Sequence, residues 1–151
     1  MPLVRDFKEL RTYRLAFDAA MRIFEISKNW PKDERYSLTD QIRRSSRSVC
    51  SNIGEAWRKR LYVANFVSRL SDANAEAAET QVWLDFALKC NYIDSTLHSE
   101  LYKHYEQISG GLIKMIAEPD AWCGPAAVRE EGAEYNVSLT GDPDLSDETG
   151  T

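Results

Sequence analysis

The chain has 151 residues, 43% hydrophobic and 28% charged, with a formal net charge of -5; this suits one buried core and excludes a wholly disordered polypeptide. No apolar run approaches the roughly 18 residues a membrane-spanning helix needs, and Met1 to Leu10 has no apolar signal segment, so the expected location is cytoplasmic and off the membrane. Cys50, Cys90 and Cys123 form no even set and no CxxC spacing, which argues against a disulfide framework and a structural zinc site.

The first predicted element runs from Asp6 to about Asn29. Leu10, Tyr13, Phe17, Ala20, Met21 and Phe24 recur at three- and four-residue intervals and are expected to form its core face. Trp30-Pro31 ends it. A second helix starts after Ser37, whose hydroxyl suits a cap with Asp40 in the first turn, and reaches about Arg60. Ile42, Ser46, Val49, Ile53, Ala56 and Trp57 share its inward face. A third helix spans about Val63 to Cys90 on Val63, Phe66, Val67, Leu70, Ala73, Ala77, Leu84 and Leu88, with Asn91 as a left-handed stop. A fourth follows Asp94 or Ser95 and uses Leu97, Leu101, Tyr105, Ile108, Leu112 and Met115. The connections are short and no strand alternation appears, so the expected fold is all-α, an up-down antiparallel four-helix bundle over residues 1-118.

Residues 119-151 differ in composition. They hold eight acids against Arg129 alone, together with four of the seven glycines and three of the five prolines, and are expected to form a mostly disordered acidic tail after a short packed stretch near Trp122. The bundle itself carries a charge of only +2. Asn136-Val137-Ser138 matches a glycosylation acceptor, which has no meaning without a secretory signal.

Two helices carry more apolar surface than one core requires. Leu15, Ala19, Ile23 and Ile26 form a second stripe on the first helix, and Val82, Trp83 and Phe86 project from the third away from Leu84 and Leu88. A helix apolar on both sides is normally buried on both sides, which predicts a homo-oligomer. Gly54, costing about 1 kcal/mol in mid-helix relative to alanine, marks a close approach by another helix or subunit. Gly110-Gly111 reads as a packing notch or kink in the fourth helix.

The second helix also carries the strongest charge signal. From Gln41 to Leu70 stand Arg43, Arg44, Arg47, Arg58, Lys59, Arg60 and Arg69 against Glu55, a local +6 suited to phosphate or carboxylate recognition. The bland alternative is a solvated face, or arginines paired with acids of a neighbouring subunit. No zinc finger, RNP motif or aromatic stacking platform reinforces nucleic-acid binding. Asn52, Asn74 and Gln81 stand at or near core-facing angles, Glu55, Glu76 and Glu79 flank the seam of the second and third helices, and together they are expected to form a polar layer that fixes register. A di-iron bundle needs Glu-x-x-His pairs, and the chain has none; with no GxSxG or glycine-rich phosphate loop, the reading has no catalytic residues, metal or cofactor.

Phe7-Lys8-Glu9-Leu10, the block from Glu34 to Ser45, Ser51-Asn52-Ile53 and LSDANAEAAETQVWLDFAL at Leu70 to Leu88 together resemble a bacterial four-helix-bundle family that includes proteins encoded in intervening sequences of 23S ribosomal RNA genes. The resemblance spans about residues 6 to 116. It implies a left-handed up-down bundle and a ring-shaped homo-oligomer, a pentamer. It also implies kinship with the accessory variability protein of diversity-generating retroelements, a five-subunit barrel that works with a reverse transcriptase and RNA. Many relatives read Asn-Ile-Ala-Glu-Gly where this chain has Asn52-Ile53-Gly54-Glu55-Ala56. The resulting expectation is a non-enzymatic homo-oligomeric adaptor whose basic face contacts RNA, DNA or an acidic protein. The alternative is a protein-protein scaffold without nucleic acid, and a small-ligand binder or enzyme using Asn52, Glu55, Asn74, Glu76 and Gln81 comes third.

Overall fold

Local chain chemistry sets the helix limits. In the computed structural model, which describes residues 4-129, the four helices are α1 (Arg11–Ser27), α2 (Leu38–Arg58), α3 (Val63–Lys89) and α4 (Ser95–Ala117). Asp94 caps α4, its carboxylate accepting the Leu97 backbone N–H at 2.8 Å. Asn91 follows α3 with φ of 61°, the left-handed stop that its short polar side chain tolerates. Ser37 departs from expectation. Its side chain makes no capping hydrogen bond, and only its carbonyl enters the first turn of α2, accepting from Gln41 N. Phe7–Glu9 forms a separate 3-10 turn before α1 instead of the helix's first turn.

Side-chain pairs fix the directions of the helices. Ser45 meets Thr80 near the start of α2 and the end of α3, while Glu55 meets Arg69 at the opposite ends. Asn74 bonds Ser109, Gln81 bonds the Tyr102 carbonyl and Asp85 bonds His98, so positions fall along α3 as they rise along α4. Arg22 binds Glu100 through Nη1 and Nη2, and Thr12 lies beside Gly111. Each helix therefore runs antiparallel to its partner, and α1 and α3, whose backbones do not approach each other, lie diagonally across the bundle. The core between them is filled by Ile23, Ile42, Ile53, Phe66, Leu70, Leu84, Leu101, Tyr105, Ile108 and Leu112. Among the described residues no helix is long and apolar enough to cross a membrane.

The two glycine positions have distinct causes. A Cβ on Gly111 would overlap Thr12 Oγ1, so this residue is the notch that lets α1 settle on α4. Gly54 lies under the Phe7 ring, 3.7 Å from where its Cβ would be, so its near neighbour is the N-terminal turn of the same chain. Ala56, two residues on, is fully buried.

Leu10 is buried as expected and Tyr13 packs against the core, but further along α1 the structure reverses the expected faces. Ala16, Ala19, Ile23 and Ser27 face the core, with Leu15 and Ile26 packed at its margin. Ala19 and Ile23 are thus unavailable to another subunit. The expected core residues Phe17 and Met21 are 48% and 46% exposed instead. Both stripes have helical period; what decides between them is that small Ala16 and Ala19 admit the close approach made possible by Gly111.

Beyond residue 118 the chain packs on the bundle through the stretch expected near Trp122. A 3-10 turn, Pro119–Ala121, brings the Trp122 ring to 6.5 Å from Trp57, and Cys123 is buried. Val128 N then donates to Leu61 O at 2.6 Å, and Val63 N donates to Val128 O at 3.1 Å. The remainder of the acidic tail, with Asn136-Val137-Ser138, lies outside the described residues.

Candidate interaction surface

Because α1 turns its large apolar side chains outward, a groove of about 790 Å³ opens between α1 and α2. Phe7, Tyr13, Phe17, Ala20, Met21 and Phe24 form its apolar wall, and Gly54 and Cys50 are on the α2 side. Phe7 meets Tyr13 edge-on at 5.1 Å, and Tyr13 stacks on Phe17 at 6.1 Å, so the wall is a continuous aromatic run. Arg47, Arg58 and Lys59 supply the positive charge along the α2 edge. Burial pushes the Cys50 thiol up to about 11, which keeps it protonated and a poor nucleophile at neutral pH.

A second apolar patch lies on α3. Val82 and Phe86 are 47% and 54% exposed, whereas Trp83 is half-buried, tilted against Phe86 at 5.8 Å and packed on the core. Trp83 therefore belongs partly to the monomer's own packing. The groove is lined by α1, α2 and Phe7 and shares no residue with this patch on α3.

The predicted basic face separates into two sets. Arg43 is committed internally: Nε donates to Ser27 Oγ at 2.9 Å, Nη2 donates to the Phe24 carbonyl at 3.3 Å, and the guanidinium lies 4.8 Å from the Phe24 ring centre. It closes the C-terminal end of α1, where carbonyls lack helical partners. Arg60 lies 3.5 Å above the Trp57 ring, and burial lowers its pKa. Arg69 pairs with Glu55 at 3.6 Å and Asp72 at 3.4 Å. Arg44, Arg47 and Arg58 are exposed and make no ion pair among the described residues. Lys59 is half-buried at the groove end.

The polar layer is also divided. Asn74 Oδ1 accepts Ser109 Oγ at 2.6 Å, and Gln81 Nε2 donates to Tyr102 O at 3.3 Å, so these two join α3 to α4. Asn52 instead donates to Ser48 O on its own helix, and Glu55 is exposed. Glu76 and Glu79 lie with Arg44 around a small polar recess; desolvation first, then the neighbouring Glu79, raises the Glu76 carboxyl above its ordinary value. The interhelical polar contact with both residues buried is Thr80 Oγ1 to Ser45 Oγ, 2.8 Å. Sequence reasoning passed over this pair, although Ser45 stands three after Ile42 and four before Val49, on the inward face. No group of three potential metal ligands gathers among the described residues.

The helical frame that carries these surfaces has known counterparts. A protein of unknown function from the S23 ribosomal protein family of Bacteroides thetaiotaomicron VPI-5482 has a similar crystal structure, with a TM-score of 0.63 and 27% identity over 69% of this chain and 93% of that one. No curated protein matches the sequence. The profile of the 23S rRNA-intervening sequence protein family matches residues 8-114, a span that begins in the Phe7–Glu9 turn and ends near the close of α4. Apart from Phe7, the residues of the aromatic groove and the α3 patch lie within that span, and the chain belongs to the 23S rRNA-intervening sequence protein family.

Proposed function

We propose that this protein is a non-enzymatic, homo-oligomeric adaptor whose copies join head to tail, the Val82–Phe86 patch of one copy entering the α1/α2 groove of the next. The observation that carries this reading is the placement of four large apolar side chains, Phe17 and Met21 on one side and Val82 and Phe86 on the other, at about half exposure. Burying such a side chain fully is worth about 1.5–3 kcal/mol relative to leaving it in water, so both faces gain by meeting. Unlike faces that pair head to tail close into a ring when the rotation permits. A ring of five copies, as the family resemblance implies, is one such closure.

Mixing two variants tests it. Met21→Glu removes the groove and Phe86→Glu removes the patch, and each alone should give monomers by light scattering because a charge enters an apolar contact. Mixed, they should form a terminated dimer, since one retains an intact groove and the other an intact patch. Wild-type monomers, or two variants that stay monomeric when mixed, overturn the head-to-tail reading. Phe86 is the better probe than Trp83, whose substitution would also damage the core.

A second reading, nucleic-acid binding, rests on Arg44, Arg47 and Arg58. These lie on one edge of α2 over roughly 21 Å, given a rise of about 1.5 Å per residue, and have no acid within ion-pair distance among the described residues. The expected result is an RNA mobility shift that weakens steeply with salt and is lost in Arg44→Gln/Arg47→Gln/Arg58→Gln. No shift at low salt for the wild-type chain retires it and leaves the protein scaffold.

A further inference from the structure

The corner where α1 gives way to α2 holds a recess of about 360 Å³, which shares only Phe24 with the aromatic groove. Every charged side chain in its lining is basic: Lys28, Lys32, Arg35 and Arg43. Asp33, Glu34 and Asp40 belong to the same stretch of chain but take no part in the wall. Lys28 is paired with Glu25 at 3.1 Å. Lys32 and Arg35 are exposed and make no ion pair among the described residues. Arg43 is fixed by Ser27 Oγ and the Phe24 carbonyl through Nε and Nη2, which leaves Nη1 without a hydrogen bond among the described residues. Lys32, Arg35 and Arg43 therefore remain for a ligand. Arg43 is already oriented, so its ordering on binding costs little entropy.

Unused hydrogen-bond donors meet these cations. Thr39, four residues before Arg43 on the same face of α2, lines the recess at 7% exposure, and its hydroxyl has no hydrogen-bond partner among the described residues. The first intrahelical bond of α2 runs from Gln41 N to Ser37 O, and Ser37 supplies no side-chain cap. The backbone N–H groups of Leu38, Thr39 and Asp40 precede that bond, so the positive end of the helix is open beside the recess. Trp30 forms another wall, and its buried indole N–H has no acceptor among the described residues. Cations and free donors around one concavity, with no acid in the wall, fit a tetrahedral oxyanion, whose oxygens accept from several directions, better than a planar carboxylate. We propose that this recess binds a phosphate dianion, free or as the end group of a small phosphomonoester. Lys32, Arg35 and Arg43 neutralise it, and the Thr39 hydroxyl and the first-turn N–H groups of α2 donate to its oxygens. Arg44, Arg47 and Arg58 are not in the wall, so the site is independent of nucleic-acid binding, and it uses neither Met21 nor Phe86.

The test titrates full-length protein with inorganic phosphate in about 0.1 M salt, where charges more than about 10 Å apart are largely screened. Read by NMR, the Trp30 indole N–H should shift along a saturable curve. Lys32→Gln/Arg35→Gln, which touches only exposed side chains, should weaken binding about tenfold because two charge-assisted contacts are lost. Thr39→Val keeps the shape and removes the hydroxyl, and should weaken it about threefold. Arg58→Gln, at the far end of α2, should leave the affinity unchanged. Glycerol 3-phosphate binding more tightly than inorganic phosphate makes the ligand a monoester; the reverse order makes it free phosphate, and either supports the site. A Trp30 signal that does not saturate overturns the proposal, as does full affinity in Lys32→Gln/Arg35→Gln. Acetate binding as tightly as phosphate overturns the tetrahedral assignment. Dimethyl phosphate, a diester with the single charge of a nucleic-acid backbone unit, should bind at least about tenfold more weakly, and equal binding overturns the dianion assignment.

Discussion

The seam between α3 and α4 and the seam between α1 and α2 show two outcomes of the same helical periodicity. Along α3/α4, Leu84, Leu101, Tyr105 and Ile108 point between the helices, and Asn74–Ser109, Gln81–Tyr102 and Asp85–His98 fasten the edge at intervals. Along α1/α2, Arg43 fastens one end to Ser27 and the Phe24 carbonyl, while Phe7 covers Gly54 near the other. Between those ends, Phe17 and Met21 stay outside. A seam closes when large side chains point into it. It stays open when small residues such as Ala16 and Ala19 take the inward positions and the bulky ones are left on the rim.

The sharpest way to break this comparison is to truncate one phenylalanine from each class. Phe66→Ala, at a fully buried site on α3, should cost about 3–5 kcal/mol in urea unfolding because transfer and cavity penalties add. Phe17→Ala, measured under dilute conditions where copies do not associate, should cost about 1 kcal/mol or less, since half the ring is already in water. Equal losses would make Phe17 a core residue and erase the distinction between the two seams.

Periodicity made most of the bundle legible. The inward residues of α2 and α4 and the Asn91 stop follow from spacing and local backbone chemistry, and the structure places them as expected and selects Asp94 from the two starts open to α4. The orientation of α1 did not follow. A 3.6-residue repeat says which side chains share a face, not which of two apolar faces turns inward. That choice depended on Thr12 fitting against Gly111, a contact between residues 99 positions apart that no local window contains. The arginines illustrate the same limit. Their clustering was readable, but the diversion of Arg43 to α1, Arg60 to Trp57 and Arg69 to Glu55 depends on tertiary neighbours. For Val128, the pairing with Leu61 and Val63 carries no side-chain signal, because it is made by backbone groups.

The smallest expected effect concerns the α1/α4 edge, where Arg22 grips Glu100 with both terminal guanidinium nitrogens. The hydrogen bond from Arg22, more than its charge at a distance, holds the Glu100 carboxyl below its ordinary value. A carboxyl with a depressed folded-state pKa adds stability above its unfolded pKa and loses that contribution as pH falls through the folded one. The urea midpoint of wild type should therefore exceed that of Arg22→Gln by a small, constant margin at neutral pH, and the margin should shrink in acid. Both groups are open to solvent, so salt should shrink it too. A margin unaffected by acid and salt would mean that Arg22 acts through the packing of its alkyl stem. The alignment of α1 on α4 would then rest on the Thr12–Gly111 notch and buried contacts, with no electrostatic share.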